Sequence, residues 1–196
     1  MDMSKATWED FHRDDSADEA SGVVDGVLVM RACPIHLGHE RVLDEMLSKH
    51  GIHRSVVMLG GANEPMSLRH LFSYSDRRGL ILRLPKYNGL RIVPLPDFPT
   101  DAEWLEAMDD ILKSMEIDPL RAAYYGGCEE DIDFFVRANR ETKIVNRFDG
   151  SSPKISATEV RDALIHGRPL KDLVNLRLQK PLLALFNKRW ELFKRM

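Results

Sequence analysis

Short continuous runs of apolar residues alternate along the chain with longer stretches in which apolar residues follow a helical spacing. Continuous runs are typical of strands buried on both faces, as in parallel sheets. Strand, helix and strand in this order predict right-handed crossovers. We therefore predict an α/β fold, a Rossmann-like doubly wound parallel sheet with C-terminal helices. The five predicted strands are Val23 to Met30, His53 to Leu59, Leu90 to Val93, Ala122 to Tyr125 and Lys143 to Phe148.

The helices are predicted from apolar spacing and from capping signals at their ends. Gly51 suits the end of the first helix, and Ser73 with Asp76 three residues later forms an imperfect capping box for the second. The proline-rich segment Pro94 to Pro99 is predicted to be a rigid loop without regular structure. Further helices are predicted over Asp101 to Met115, over Asp131 to Asn139, from Ser156 onwards, and once or twice within Leu170 to Met196.

The turn between the first strand and the first helix carries two histidines, His36 and His39, around Gly38. The start of a helix offers unpaired N–H groups and a partial positive charge, so imidazole donors placed there suit a phosphate group. Two other interpretations remain open at this point. The pair could be half of a zinc site, although neither cysteine has suitable spacing, or both histidines could be purely structural.

Three further segments are predicted to meet this turn at the carboxyl edge of the sheet, where ligands of such folds bind. One of them, from Ser156 to Arg161, resembles a second anion site, because Ser156 and Thr158 offer hydroxyls and Arg161 adds a fork of donors. The alternative interpretation of this segment is an ordinary helix cap beside a surface arginine. The other two segments are the Gly60-Gly61 loop with Arg77 beyond it, and the loop from Pro94 to Trp104.

Composition limits the classes of function. The chain has 196 residues, a formal net charge of -3 and a pI of about 6.2, so neither a nucleic-acid nor a membrane partner is expected. Two cysteines do not form a disulfide framework, which favours a cytoplasmic location. We expect an acidic, loose leader over residues 1–21 and one domain with closing C-terminal helices over residues 22–196.

These motifs together resemble the nucleotidylyltransferase superfamily, and within it the nicotinamide-nucleotide (NMN) adenylyltransferases of the archaeal type. The likeness covers about Gly22 to Gly167. The family turn Gly-Arg-Phe-Gln-Pro-x-His-x-Gly-His corresponds to the ten residues from Met30 to His39, in which Met30 and Cys33 replace the family's Gly and Gln. The family's other segments are met by Gly60-Gly61-Ala62, by His70 to Arg77, by Pro94 to Asp97 with Trp104 seven residues later, and by Ser156 to Arg161.

The resemblance implies an enzyme that transfers adenylyl from ATP to nicotinamide or nicotinate mononucleotide, in NAD biosynthesis. It implies Mg²⁺ bound with ATP and held mostly by substrate oxygens and water, with no dedicated metal site in the protein. The catalytic residues it implies are His36, His39 and Arg161. ATP-binding residues are Arg31, Gly38, Arg77, Ser156 and Thr158, and acceptor-binding residues are Gly60, Gly61, Asp97 and Trp104.

Several alternatives stay open from the sequence. Trp104 could simply be a core residue of its amphipathic helix, since apolar residues continue the same stripe. The enzyme could belong to a phosphopantetheine adenylyl-, cytidylyl- or FAD-forming branch, or the chain could be a nucleotide sensor without turnover. Neither the choice between nicotinamide and nicotinate nor assembly into a homo-oligomer is decided.

Overall fold

The computed structural model describes residues 24–145 and 155–196. Predictions for the acidic leader, for Val23, for the end of the fifth strand at Phe148 and for the loop from Asp149 to Pro153 lie outside the described residues. The prediction of a single domain over residues 22–196 stays a prediction.

The predicted α/β fold is confirmed. Five parallel strands form one sheet in the order β3-β2-β1-β4-β5. The order reverses between β1 and β4, so a crevice opens outside the carboxyl ends of these two strands. The strands are β1 (Gly26–Met30), β2 (Ser55–Leu59), β3 (Arg91–Pro94), β4 (Ala123–Gly126) and β5 (Glu141–Ile144).

Six α-helices accompany the sheet in the described residues, with a short 3-10 turn over Pro85–Tyr87. A single helix closes the chain, although it contains Pro181. The helices are α1 (Leu37–His50), α2 (Tyr74–Leu82), α3 (Asp101–Ser114), α4 (Glu129–Arg137), α5 (Ala157–Ile165) and α6 (Leu176–Phe193).

The capping signals act as predicted. Gly51 ends α1 at φ +71° and donates its N–H to the carbonyl of Leu47. Ser73 and Asp76 form a complete reciprocal capping box at the start of α2, better than the imperfect one predicted. Asp76 also accepts an ion pair from Arg189 of α6 at 2.5 Å, which ties the closing helix to α2.

Several predicted boundaries differ from the structure by one or a few residues, and two of the differences have a clear physical reason. Pro94, assigned to the irregular loop, is the last residue of β3, at the edge of the sheet where a missing N–H is tolerated. The fifth strand begins at Glu141 rather than Lys143, because β5 is an exposed edge strand whose polar start carries no apolar signal.

The core lies on both faces of the sheet. Neighbouring residues of one strand point to opposite faces, so Leu28 packs into one cluster and Val27 into the other. The first cluster contains residues of α1, α5 and α6, and the second contains residues of α3 and α4. All five residues of β2 are buried, which explains its continuous apolar run. No helix in the described part of the chain is long and apolar enough to cross a membrane.

Candidate active site

A cavity of about 660 Å³ lies at the carboxyl edge of the sheet, where β1 and β4 part. Residues from every segment predicted to meet there contribute to its wall, so the predicted juxtaposition of the segments is observed. Seven of the twelve predicted site residues line it: Arg31, His36, His39, Gly60, Asp97, Trp104 and Ser156. The remaining five are not among its lining residues: Gly38, Gly61, Arg77, Thr158 and Arg161.

His36 and His39 form the floor of this cavity at the start of α1. His36 is the N-cap residue and is 2% exposed, and His39 occupies the third helical position. Their ring centroids lie 3.8 Å apart with the ring planes tilted by 31°. The first N–H of the helix, at Leu37, donates to the carbonyl of Leu173, which holds the helix start against the segment before α6. Two imidazoles side by side at a helix N-terminus suit an anion.

The second predicted anion segment lies against the first. Ser156 caps α5 by accepting the N–H of Glu159 at 3.1 Å, as the capping interpretation requires, and it also lines the cavity. Arg161 donates to the carbonyl of Cys33 at 2.6 Å and to the hydroxyl of Thr158 at 3.0 Å. Arg161 therefore joins α5 to the turn that follows β1. Burial lowers the pKa of Arg161 below its ordinary value, but an arginine remains charged at neutral pH.

Arg77, which the resemblance predicts to bind the triphosphate, is not among the residues that line the cavity. Its guanidinium is 2% exposed and donates to the carbonyls of Arg31 and Gly60 at 2.6 and 2.8 Å, and to that of Gly61 at 3.3 Å. Burial is the main reason that its pKa is lowered from the ordinary value. In this arrangement Arg77 holds the turns after β1 and β2 in place and does not face the cavity.

Arg31 and Asp97 form an ion pair that crosses the cavity edge. Nη2 of Arg31 donates to Oδ2 of Asp97 at 2.8 Å, and Oδ1 of Asp97 accepts the N–H of Gly61 at 3.1 Å. Asn63, which the sequence did not single out, exchanges two hydrogen bonds with the main chain of Asp97. Gly61 has φ +63°, a conformation that favours glycine. Asp97 thus fixes the Gly60-Gly61 loop as well as facing the cavity.

Trp104 combines the two interpretations that the sequence left open. Its ring packs perpendicular to that of Phe134, with centroids 5.1 Å apart, next to the core cluster of α3 and α4. Trp104 also lines the main cavity and a neighbouring one of about 410 Å³. That second cavity is also lined by Arg31, Asp97, Asp131 and three phenylalanines, so the two cavities share a wall.

The sequence prediction missed the segment after β4. Gly127, Cys128, Glu130 and Asp131 all line the main cavity. Asp131 accepts the N–H of Gly127 at 3.0 Å, which closes the turn at the start of α4. The signal was available, because Gly126-Gly127 follows the predicted fourth strand at the edge where ligands bind.

The departures from the family turn have distinct surroundings. Met30 ends β1, is buried and lines the cavity where the family has glycine. The thiol of Cys33 is buried 3.9 Å from the carbonyl of Phe72, and the main-chain carbonyl of Cys33 accepts a hydrogen bond from Arg161. Within residues 24–145 and 155–196, no group of three or more His, Cys, Asp or Glu side chains could hold a metal ion.

The five-stranded parallel sheet, with the paired histidines at the turn after β1, is the Rossmann-like α/β fold that the sequence predicts. The predicted resemblance is also confirmed by sequence. The chain is 25% identical to nicotinamide-nucleotide adenylyltransferase of Pyrococcus furiosus, over 76% of this chain and 77% of the relative. It is 24% identical to the enzyme of that name from Thermococcus onnurineus, over 76% of both chains. The predicted enzyme class, a nucleotidylyltransferase, is confirmed by these relatives.

Among solved structures, the fold is similar to a bifunctional NMN adenylyltransferase/ADP ribose pyrophosphatase of Francisella tularensis, complexed with AMP and a Mn ion. The TM-score is 0.67 at 18% sequence identity, over 88% of this chain and 52% of that one. At this identity the likeness concerns the fold, and the chain spans about half the length of the bifunctional protein. No family model matches the chain.

Proposed function

We propose that the protein transfers the adenylyl group of ATP to the 5′-phosphate of nicotinamide mononucleotide, which yields NAD and pyrophosphate. An oxygen of the acceptor phosphate attacks the α-phosphorus, and the bond from that phosphorus to the bridging oxygen of the β-phosphate breaks. The observation that carries the proposal is that one cavity is lined both by His36, His39 and Ser156 and by Asp97 and Trp104. The relatives' name supports the same reaction.

The ATP side of the proposal rests on the two anion segments. His36 and His39 would contact the α- and β-phosphates, and Ser156, with Thr158 beside it, would contact further oxygens of the triphosphate. Arg161 would complete the β- and γ-phosphate contacts, because it is charged and anchored within hydrogen-bond distance of Thr158. Gly38 lies between the histidines in the first turn of α1, and its lack of a side chain would let the triphosphate approach the main chain there.

The acceptor side rests on the wall shared by the two cavities. Trp104 offers a flat indole face to the electron-poor pyridine ring, and Gly60 and Gly61 form the loop that Asp97 holds. The described residues that line the second cavity include Asp97, Asp101 and Asp131, and Arg31 is the one basic residue among them. A nicotinate carboxylate would be repelled there, so we propose that the neutral carboxamide form is preferred.

Catalysis in this proposal needs no nucleophile from the protein. The chain holds the two anionic reactants in line and cancels the repulsion between them, which is how phosphoryl-type transfers are accelerated. Arg31 lines both cavities and would stand where the acceptor phosphate meets the α-phosphate. ATP would enter as its Mg²⁺ complex, with the cation held mostly by phosphate oxygens and water.

The test is a panel of acceptors incubated with ATP and Mg²⁺, with pyrophosphate release as the readout. The panel contains nicotinamide and nicotinate mononucleotides, phosphopantetheine, flavin mononucleotide and, with CTP, a phosphorylated alcohol. The proposal expects the highest kcat/KM with nicotinamide mononucleotide. Turnover with another acceptor only would assign a different branch of the superfamily, and binding of ATP without pyrophosphate release from any acceptor would indicate a nucleotide sensor.

A further inference from the structure

Arg31 is held from two sides by side chains of different segments. Nη2 contacts Asp97 of the loop after β3, and Nη1 lies 2.9 Å from Nε2 of His70, in the segment before α2. The Arg31 side chain is nevertheless 43% exposed, so its guanidinium is oriented without being enclosed. His70 lines neither cavity and has no role in the proposed reaction so far.

The surrounding main chain fixes the position of the His70 ring. Ser67 and His70 are joined by main-chain hydrogen bonds in both directions, and the hydroxyl of Ser67 accepts the N–H of His70. The ring lies against Gly61, where an added Cβ would be 3.0 Å from Cε1 of His70. Since a Cβ so close would force a shift, the glycine leaves the space that this ring occupies. His70 is thus placed by two loops and does not merely happen to touch Arg31.

The direction of the contact between Arg31 and His70 follows from the chemistry of the two groups. A guanidinium donates hydrogen bonds and has no acceptor, so Nε2 of His70 has to accept. A histidine accepts only in its neutral form, with its proton on Nδ1. Protonation of His70 would remove the acceptor and place a second positive charge beside the guanidinium.

We propose that His70 is a positioning residue, which orients Arg31 at the junction of the two cavities only while its imidazole is neutral. The proposal rests on the proposed function, because it makes the reaction sensitive to acid through the orientation of Arg31. Asp97 alone holds the guanidinium after His70 is protonated, and Arg31 is then free to rotate about that ion pair.

The charges around His70 favour the neutral form. Burial is the largest cause that lowers its pKa below the ordinary value of 6.5, and Arg31 is the next. Arg69 in the same loop and Arg77 of α2 lower it further, and Glu64 of the loop after β2 opposes them. Asp97 of the loop after β3 faces His70 across Arg31. The neutral ring therefore prevails at neutral pH, and the contact is lost as the pH falls through the lowered pKa of His70.

The variant that tests the proposal is His70→Gln, because a glutamine amide oxygen can accept from Arg31 near the position of Nε2 but does not titrate. The matched control is His53→Gln, the same exchange at an exposed histidine before the amino end of β2. Each protein is assayed with ATP and nicotinamide mononucleotide at about pH 7.5 and at about one pH unit below the His70 pKa that NMR gives, and the ratio of kcat/KM at the two pH values is compared between proteins. Ionisation of the substrates is the same in all three proteins and cancels in this comparison.

The second arm needs no activity. The pKa of His70 is measured by NMR from its Cε1–H signal, assigned by the loss of that signal in His70→Gln. We expect a pKa below 6.5 that rises in Arg31→Gln, since one of the causes that lower it is removed. The Arg31 exchange serves only this arm, because Arg31 belongs to the proposed site.

We expect the fall of kcat/KM at acid pH to be smaller in His70→Gln than in the wild type, by about threefold or more. In His53→Gln the fall should equal that of the wild type. The proposal would be overturned if kcat/KM fell equally at acid pH in His70→Gln and in the wild type. It would also be overturned if the pKa of His70 were the same in Arg31→Gln as in the wild type. If no acceptor is turned over at all, the proposed function fails, while the NMR arm still decides whether His70 and Arg31 are coupled.

Discussion

Arg77 donates a hydrogen bond of 2.6 Å from Nη1 to the main-chain carbonyl of Arg31, and the same nitrogen donates to the carbonyl of Gly60 at 2.8 Å. One buried guanidinium therefore fixes the turn after β1 relative to the loop after β2. Both segments line the main cavity. A charge in this position is stabilised by the carbonyl dipoles it contacts, and its removal would leave these oxygens buried without a donor.

Replacement of Arg77 should therefore affect stability as well as activity. We expect Arg77→Ala to lower the free energy of unfolding by about 2 to 4 kcal/mol, because three carbonyl contacts and well-packed side-chain volume are lost. The measurement is a urea titration beside the adenylyl-transfer assay. Arg78→Ala, at the exposed neighbouring position, is the control and should change neither the free energy of unfolding nor the rate of adenylyl transfer. If Arg77→Ala kept full stability and lost only affinity for ATP, Arg77 would instead be assigned to binding of the triphosphate.

His39 should matter for turnover far more than for stability. It is only partly buried at the start of α1, so His39→Ala removes little core. We expect turnover to fall by at least about 100-fold, the usual effect of losing one donor to a transferring group. Thermal unfolding is followed on the same sample, and His53→Ala before the amino end of β2 is the control. Normal turnover of a folded His39→Ala protein would contradict its catalytic assignment.

Arg161 should act mainly on ATP. A hydrogen bond from a charged group contributes about 1.5 to 3 kcal/mol, so Arg161→Ala should raise the Kd for ATP by about 10- to 100-fold. Arg161→Lys keeps the charge but cannot reach Cys33 and Thr158 together, so it should recover only part of the affinity. Isothermal titration with each ligand alone measures this, with Arg168→Ala, beyond the end of α5, as the control. If Arg161→Ala weakened the binding of the mononucleotide only, the assignments of the ATP site and the mononucleotide site would have to be exchanged.

Trp104 should act on the acceptor. The exchange to Phe retains a ring and should be mild, whereas Trp104→Ala should raise the KM for the mononucleotide and leave the KM for ATP nearly unchanged, because stacking contributes about 0.5 to 1.5 kcal/mol beyond area burial. Trp104 also packs on Phe134, so some loss of stability is expected as well. Leu105→Ala is the matched control, since Leu105 packs against the same core cluster and lines neither cavity. If the KM for the mononucleotide were the same in the Trp104→Ala and Leu105→Ala proteins, Trp104 would be a core residue without a role in acceptor binding.

Much of the site could be predicted because its segments carry local signals. The turn around His36 and His39 follows a continuous apolar strand and precedes a helix that ends at Gly51, and each of these features depends on neighbouring residues only. The parallel sheet then places the ends of its strands at one edge, which explains why seven predicted residues from separate segments line one cavity.

The parts that could not be predicted depend on where long side chains fold back. Spacing places Arg77 in the first turns of α2 but does not tell that its guanidinium turns inward onto three carbonyls. No pattern relates Arg31 to His70, 39 residues apart, because their contact depends on the path of two loops. The missed start of α4 has a different cause, since its N-cap position is Cys128, a residue type that gives no capping signal.

The central claim is attack on the α-phosphorus of ATP by a pyridine mononucleotide, and the position of a phosphorus label tests it most directly. The protein is incubated with nicotinamide mononucleotide, Mg²⁺ and ATP labelled either at the α- or at the γ-phosphorus, and the products are separated. The prediction is that the α-label appears in the dinucleotide and the γ-label in pyrophosphate. Recovery of the γ-label in orthophosphate or on the acceptor, with the α-label left in ADP, would contradict adenylyl transfer.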